Sequence, residues 1–158
     1  MATVIRGSDN FDSANAGKVL QVVSTTASVE YANSSATWNI KMTANDTTIT
    51  PSSTNSKILI MVNIISALQY SNTIPAFDIY RSISGGASTY QLSGETYGFS
   101  KYTDSLASPV SYSYLDSPST VSAITYSATA INSGGGAGSV YAGHNSIAST
   151  ITLMEIAG

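Results

Sequence analysis

Residues able to move protons or hold metals are scarce in this chain. Its 158 residues include one histidine, no cysteine and nine acidic side chains. The histidine, His144, follows Gly143 in a loop-like stretch, so it reads as a hydrogen-bonded loop residue. Nucleophilic catalysis by serine needs a base beside a hydroxyl held on a strained turn, and no Gly-x-Ser-x-Gly elbow occurs. Only if three copies met on an axis would three His144 rings make a metal set. Sugar hydrolysis needs two carboxyls on one cleft wall. The candidates Asp78, Glu95, Asp104 and Asp116 show no spacing that pairs them, and each reads as a turn or rim residue. Asp116, in Leu115-Asp116-Ser117-Pro118, fits an Asx-turn, its carboxylate accepting backbone N–H groups. The run Asp9-Asn10-Phe11-Asp12 lacks the alternating oxygen ligands and closing Glu of an EF-hand. The glycines of 134–138 lack the Lys-Ser/Thr that completes a phosphate loop. Asn33-Ser34-Ser35 and Asn45-Asp46-Thr47 match glycosylation acceptors, as chance allows in a chain this rich in hydroxyls. The sequence therefore predicts no catalytic residue, no metal site and no cofactor.

A binding surface is the better chemical candidate. Tyr97, Phe99 and Tyr102, with Lys101 and Asp104, fall in a segment that reads as loop or edge strand. Exposed rings with polar neighbours can stack on sugars and hydrogen-bond their hydroxyls. The competing reading packs the same aromatics into a core or a subunit interface.

The elements that would position these residues are strands. Only 9% of residues are charged, while Ser and Thr make up 46 of the 158 and Tyr outnumbers the other aromatics. Neutral hydroxyls thus replace charge on the surface, which suits pleated, half-buried strands. A net charge of −3, with six cations scattered singly, leaves no basic patch for phosphates and argues against nucleic acid. No apolar run is long enough to span a bilayer. The start lacks the apolar core of a signal peptide, so synthesis in a cytoplasm is expected.

The stretch Ser56–Ile65 anchors the pattern. As a strand it carries Ile58, Ile60, Val62 and Ile64 on one face, and Leu59, Met61, Asn63 and Ile65 on the other. A strand apolar on both faces needs covering twice: once by the opposite sheet of its own domain, once by a loop or another copy. The residues expected at that contact are Leu59, Met61 and Ile65. Elsewhere, Thr37–Thr43 alternates, with Trp38, Ile40 and Met42 on one face. Ala76–Ser82 places Phe77 and Ile79 together before a Ser84-Gly85-Gly86 turn. Val110–Leu115 sets Val110, Tyr112 and Tyr114 against Ser111 and Ser113, and further strands are expected at Lys18–Ser24, Asp46–Thr50, Ser88–Leu92, Ser122–Ile131, Ser139–His144 and Ser149–Ile156. No window reads as a capped helix. The expected fold is all-β: an antiparallel sandwich, jelly-roll-like, spanning 18–158, with residues 1–17 as an extended arm.

Four segments in this order resemble a known module: Gly17–Val23, Ile49–Ile60, Tyr112–Pro118 running on to Tyr126, and Ser149–Ile156. Together they are similar to the C-terminal module of tail-fibre-like structural proteins of bacteriophages of aquatic hosts. The resemblance implies a virion protein, homotrimerisation, and binding to a host surface or decoration of the particle. Asp9, Asn10, Phe11 and Asp12 look like a segment of phage structural proteins, which implies that the arm anchors to another virion protein. Family members commonly carry a stalk before this module; fewer than twenty residues precede it here, so a short knob is expected. The function expected is non-enzymatic: a trimeric knob on the virion that engages host glycan. Capsid decoration without a receptor, and a free sugar-binding lectin, are the alternatives.

Overall fold

A computed structural model describes residues 17–34, 36–37, 41–68, 74–89, 92–95, 98–101, 108–134, 138–143 and 147–158. Among the described residues eleven strands follow one another: β1 (Val19–Ala27), β2 (Tyr31–Asn33), β3 (Lys41–Ile49), β4 (Lys57–Leu68), β5 (Pro75–Ile83), β6 (Ser88–Thr89), β7 (Ser100–Lys101), β8 (Ser108–Asp116), β9 (Ile124–Asn132), β10 (Val140–Ala142) and β11 (Ser149–Ile156). All pairings between these strands are antiparallel. In the first sheet β1, β11, β4 and β8 lie side by side, and β10 and β2 continue it beside the far half of β4. The second sheet runs β3-β9-β5, with β6 and β7 both pairing with β5. Taking the principal strands in chain order, the first lies beside the last, and the second beside the last but one. This interleaving makes the fold a jelly roll.

The core lies between the sheets and is built by alternation. Ile58, Ile60, Val62 and Ile64 face inward from β4, and Ile151 and Leu153 from β11, meeting Phe77, Ile79, Ile124, Tyr126 and Ala128 of the second sheet; all are essentially inaccessible. Burying one such aliphatic side chain contributes about 1.5–3 kcal/mol. One end of the sandwich is tied shut by backbone bonds. Gly17 N–H donates to Ala157 O (2.8 Å) and Ala157 N–H to Lys18 O (2.9 Å), which seats the start of β1 on the chain terminus. A side chain on Gly158 would collide with the Asn55 carbonyl, so only glycine fits there.

Several expectations change in detail. The strand of Asp46–Thr50 and the end of Thr37–Thr43 are one element, β3, broken by a large bulge. Met42 faces Ala128 and Thr47 faces Tyr126, so residues 43–46 oppose Ser127 alone. Trp38, Ile40 and residues 1–16 of the arm, including Asp9, Asn10, Phe11 and Asp12, lie outside the described residues, while Gly17, its last residue, is bound to Ala157. The short β2 has no counterpart in the sequence reading, because three residues carry too little alternation to register.

Candidate functional site

Register converts the two-faced β4 into a surface. Four residues stand in line across the outward face of the first sheet: Val22 on β1, Met154 on β11, Leu59 on β4 and Leu115 on β8. Val22 is 55% and Leu115 48% exposed, with Leu59 and Met154 half-buried between them. Neighbouring strands lie about 4.8 Å apart, so this apolar row is roughly 14 Å long. On its side nearer the tied end stand Val19, opposite Ile156, and then Lys57; Leu20 bulges out beside them, 45% exposed. On the other side come two rows of hydroxyls. Ser24, Thr152, Met61 and Ser113 form one, and Thr26, Thr150, Asn63 and Ser111 the next. Ser24 and Thr152 share a hydroxyl hydrogen bond of 2.9 Å, and Thr26 and Thr150 one of 3.0 Å. Lys57 is the one charged residue on the outward face of these four strands among the described residues.

Of the contact residues expected from sequence, Leu59 therefore lies in the apolar row. Met61 faces the same side but stands between Thr152 and Ser113, in a hydroxyl row. Ile65 pairs with Pro109 through its backbone, and its side chain lies outside the description. Val22, Met154 and Leu115 were missed, because only the register brings residues from four distant strands into one line.

The buried carboxylates are structural. Glu155 is 1% exposed and pairs with no cation among the described residues. Its Oε1 accepts from Ser52 N–H (2.7 Å), Ser52 Oγ (2.6 Å) and Ser56 Oγ (2.7 Å), and its Oε2 from Gln21 Nε2 (2.7 Å). Burial alone would raise this carboxyl, but the two serines and Gln21 outweigh it and hold it down to about 2. Asp116 is not the Asx-turn residue expected. Both its oxygens accept from Arg81 Nη1 (2.8 and 2.9 Å), and Oδ2 also accepts from Tyr126 OH (2.7 Å), which joins β8 to β5 and β9 across the sandwich. Burial, and then the bond to Asp116, push the Tyr126 hydroxyl up. Asp78, expected at a turn or rim, is fully buried. It accepts from Ile79 N–H (2.6 Å), Ser93 N–H (3.1 Å) and the Ser93 hydroxyl. Burial still raises its carboxyl above the ordinary range against the pull of those donors. Among the described residues, no three acidic or histidine side chains come together to hold a metal.

The aromatic segment is only partly in view. Tyr97, Tyr102, Asp104 and His144 lie outside the described residues, and Lys101 is placed by its backbone, paired with Ala76. Phe99 is half-buried. Its ring stacks on Tyr112 at 5.2 Å and 13° and meets Tyr114 at 5.2 Å, while its N–H donates to Phe77 O (2.8 Å). Tyr112 OH in turn donates to Asp78 O at 3.0 Å. Phe99 thus wedges the open side between β5 and β8, with one ring face taken by Tyr112. The two glycosylation matches stand on buried asparagines: Asn33 and Asn45 are each 3% exposed, and Asn33 donates to Ala130 O.

No family model and no curated protein matches the chain. Solved structures of infectious bursal disease virus do. One, of its Gx strain, has a TM-score of 0.54 at 14% identity, covering 100% of this chain and 38% of that one. A VP2 mutant in virus-derived T=1 particles gives 0.48 at 11% identity, covering 98% and 41%. The VP2 subviral particle gives 0.45 at 12%, covering 99% and 43%. This chain spans about two fifths of the length of the chains it matches. At such identity the likeness is one of fold.

Proposed function

We propose that the chain is a non-enzymatic structural protein of a virion. It is a short knob of three copies, held on the particle through residues 1–17 and contacting host-surface glycan. The observation that carries this reading is the apolar row on the outer face of the first sheet. A monomer gains nothing by displaying Val22, Met154, Leu59 and Leu115 in line on a face almost free of charge, whereas an assembly buries them. The jelly-roll likeness to a chain of infectious bursal disease virus supports the virion setting, as does the resemblance to bacteriophage fibre modules. The glycan contact is assigned to the segment carrying Tyr97, Phe99, Lys101, Tyr102 and Asp104. Lys101 pairs with Ala76 at the end of the sandwich away from Gly17, so an arm and a receptor site would occupy opposite ends. Weak single sites then gain strength from many copies on one particle.

The virus structure in the fold comparison favours one second reading, a capsid-decorating protein with no receptor. Mass spectrometry of purified particles, followed by their reconstruction, tests both. The chain should be present, as trimeric density at a tail or fibre position. Density at capsid three-fold positions with none at the tail selects decoration. Absence from particles, with binding of the free protein on a glycan array, overturns the virion reading in favour of a lectin.

A further inference from the structure

We infer that the row Val22–Met154–Leu59–Leu115, with Val19, Leu20 and Ile156 beside it, is the seat of a second copy of this chain. The inference rests on the reading above that copies associate. It moves the contact away from Met61 and Ile65, to the tied end of the sandwich.

Three observations select a copy of the same chain as the occupant. The first is size. Val19, Leu20, Val22 and Leu115, each 45–55% exposed, are joined through Met154 and Leu59 into one contiguous apolar patch instead of being scattered singly. It supplies the apolar centre, though not the whole, of the roughly 800 Å² that each partner buries in a stable interface. The second is the frame. The hydroxyl rows next to it form the polar rim that such a centre needs, and their pairs Ser24–Thr152 and Thr26–Thr150 already satisfy each other. Covering these rows would therefore orphan few donors. The third is charge. The chain carries nine acidic and six basic residues, yet this face presents Lys57 alone from its four strands. Copies packed around a shared three-fold axis meet through so neutral a face without like-charge repulsion, whereas an acidic or basic partner would find almost nothing to pair with. The row also runs from β1 at one edge to β8 at the other, and β8 pairs only with β4 among the described strands. Leu115 is thus presented at an open edge, where another copy can reach it.

Sedimentation of the full chain and its variants tests this. The wild type should sediment as an oligomer at micromolar concentration. Leu115→Glu and Met154→Glu should each weaken association at least about a hundredfold, since a charge would be buried without a partner at the centre of the contact. Thr48→Glu, on the outer face of the other sheet, should leave it intact. If the glutamate variants fail to fold, Val22→Ser and Met154→Ser should each weaken association about tenfold with an unchanged melting transition. A monomeric wild type overturns the inference, and so does an oligomer indifferent to all these changes. A monomer whose Met154 methyl is shielded from a soluble spin label also overturns it, making residues 1–16 the occupant. Failure here leaves the virion reading standing if the chain is found in purified particles. An oligomer built on this row but absent from particles sinks the virion reading alone.

Discussion

The two outer faces of the sandwich solve the problem of facing water in opposite ways. On the second sheet the polar groups are spent on one another. Lys41 Nζ pairs with Asp46 Oδ2 at 3.0 Å and sits 5.0 Å from the centre of the Tyr80 ring. Ser127 donates its hydroxyl to Asp46, Tyr80 OH donates to Ser88 at 3.2 Å, and Thr48 and Thr125 share a 2.8 Å bond. The bulge of β3 brings Asp46 over Ser127, so that even polar residues there are buried: Ser127 and Thr129 are fully inaccessible. On the first sheet, nothing comparable among the described residues covers the apolar row. Substitutions on the two faces should therefore be felt in different ways. Damage to the second face acts on folding, because it leaves buried partners unsatisfied. On the assembly proposed above, damage to the apolar row should act on association and leave the monomer nearly as stable as before.

The largest effect on folding is expected at the seam between the faces. Glu155→Ala would strand the buried Ser56 hydroxyl and take the shared acceptor from Ser52 and from Gln21, whose amide keeps only its bond to the Thr50 carbonyl, and should lower stability by about 2–3 kcal/mol in urea unfolding. Asp46→Ala should cost less, about 1–2 kcal/mol, by leaving Ser127 and Lys41 without their acceptor; the oligomer's sedimentation should not change. Acid titration sharpens the contrast between two buried carboxylates. Glu155 is held down to about 2 in the folded chain against an ordinary value of 4.5. Its contribution is therefore complete above about pH 4.5 and is lost as pH falls towards 2, because the unfolded chain takes up the proton first. Urea midpoints should decline over that interval, and Glu155→Gln should flatten the decline. Asp78 acts in the other sense. Its raised carboxyl makes the folded chain the better proton binder, so its contribution is lost as pH rises past the ordinary range. The smallest change expected is Leu115→Ser. It should shift the unfolding midpoint by less than about 0.5 kcal/mol measured on the dissociated chain, yet weaken association severalfold.

Alternation carried most of the fold. The period-2 pattern of Ile58 to Asn63 places each described side chain on the face it occupies, and that of Val110 to Leu115 does the same. The strand of Ser149–Ile156 has the bounds expected. The same alternation, carried one step past Ile151 and Leu153, puts Glu155 inside, so its burial is written in the sequence. Other features needed the third dimension. Asp116 reads as a turn residue beside Ser117-Pro118 because Arg81, 35 positions away, cannot be chosen as its partner from spacing. The apolar row draws on β1, β4, β8 and β11, whose order in the sheet is not written in any one of them. Phe99 was legible as an aromatic in a polar stretch, but its stacking on Tyr112 depends on how β5 and β8 face each other.

The claim that most needs testing is that copies of this chain clasp one another across an outer sheet face. Static light scattering of the purified full chain at micromolar concentration measures it directly. A single species near three times the 16.4 kDa of one chain is the result expected. A well-behaved species at 16.4 kDa itself would contradict it.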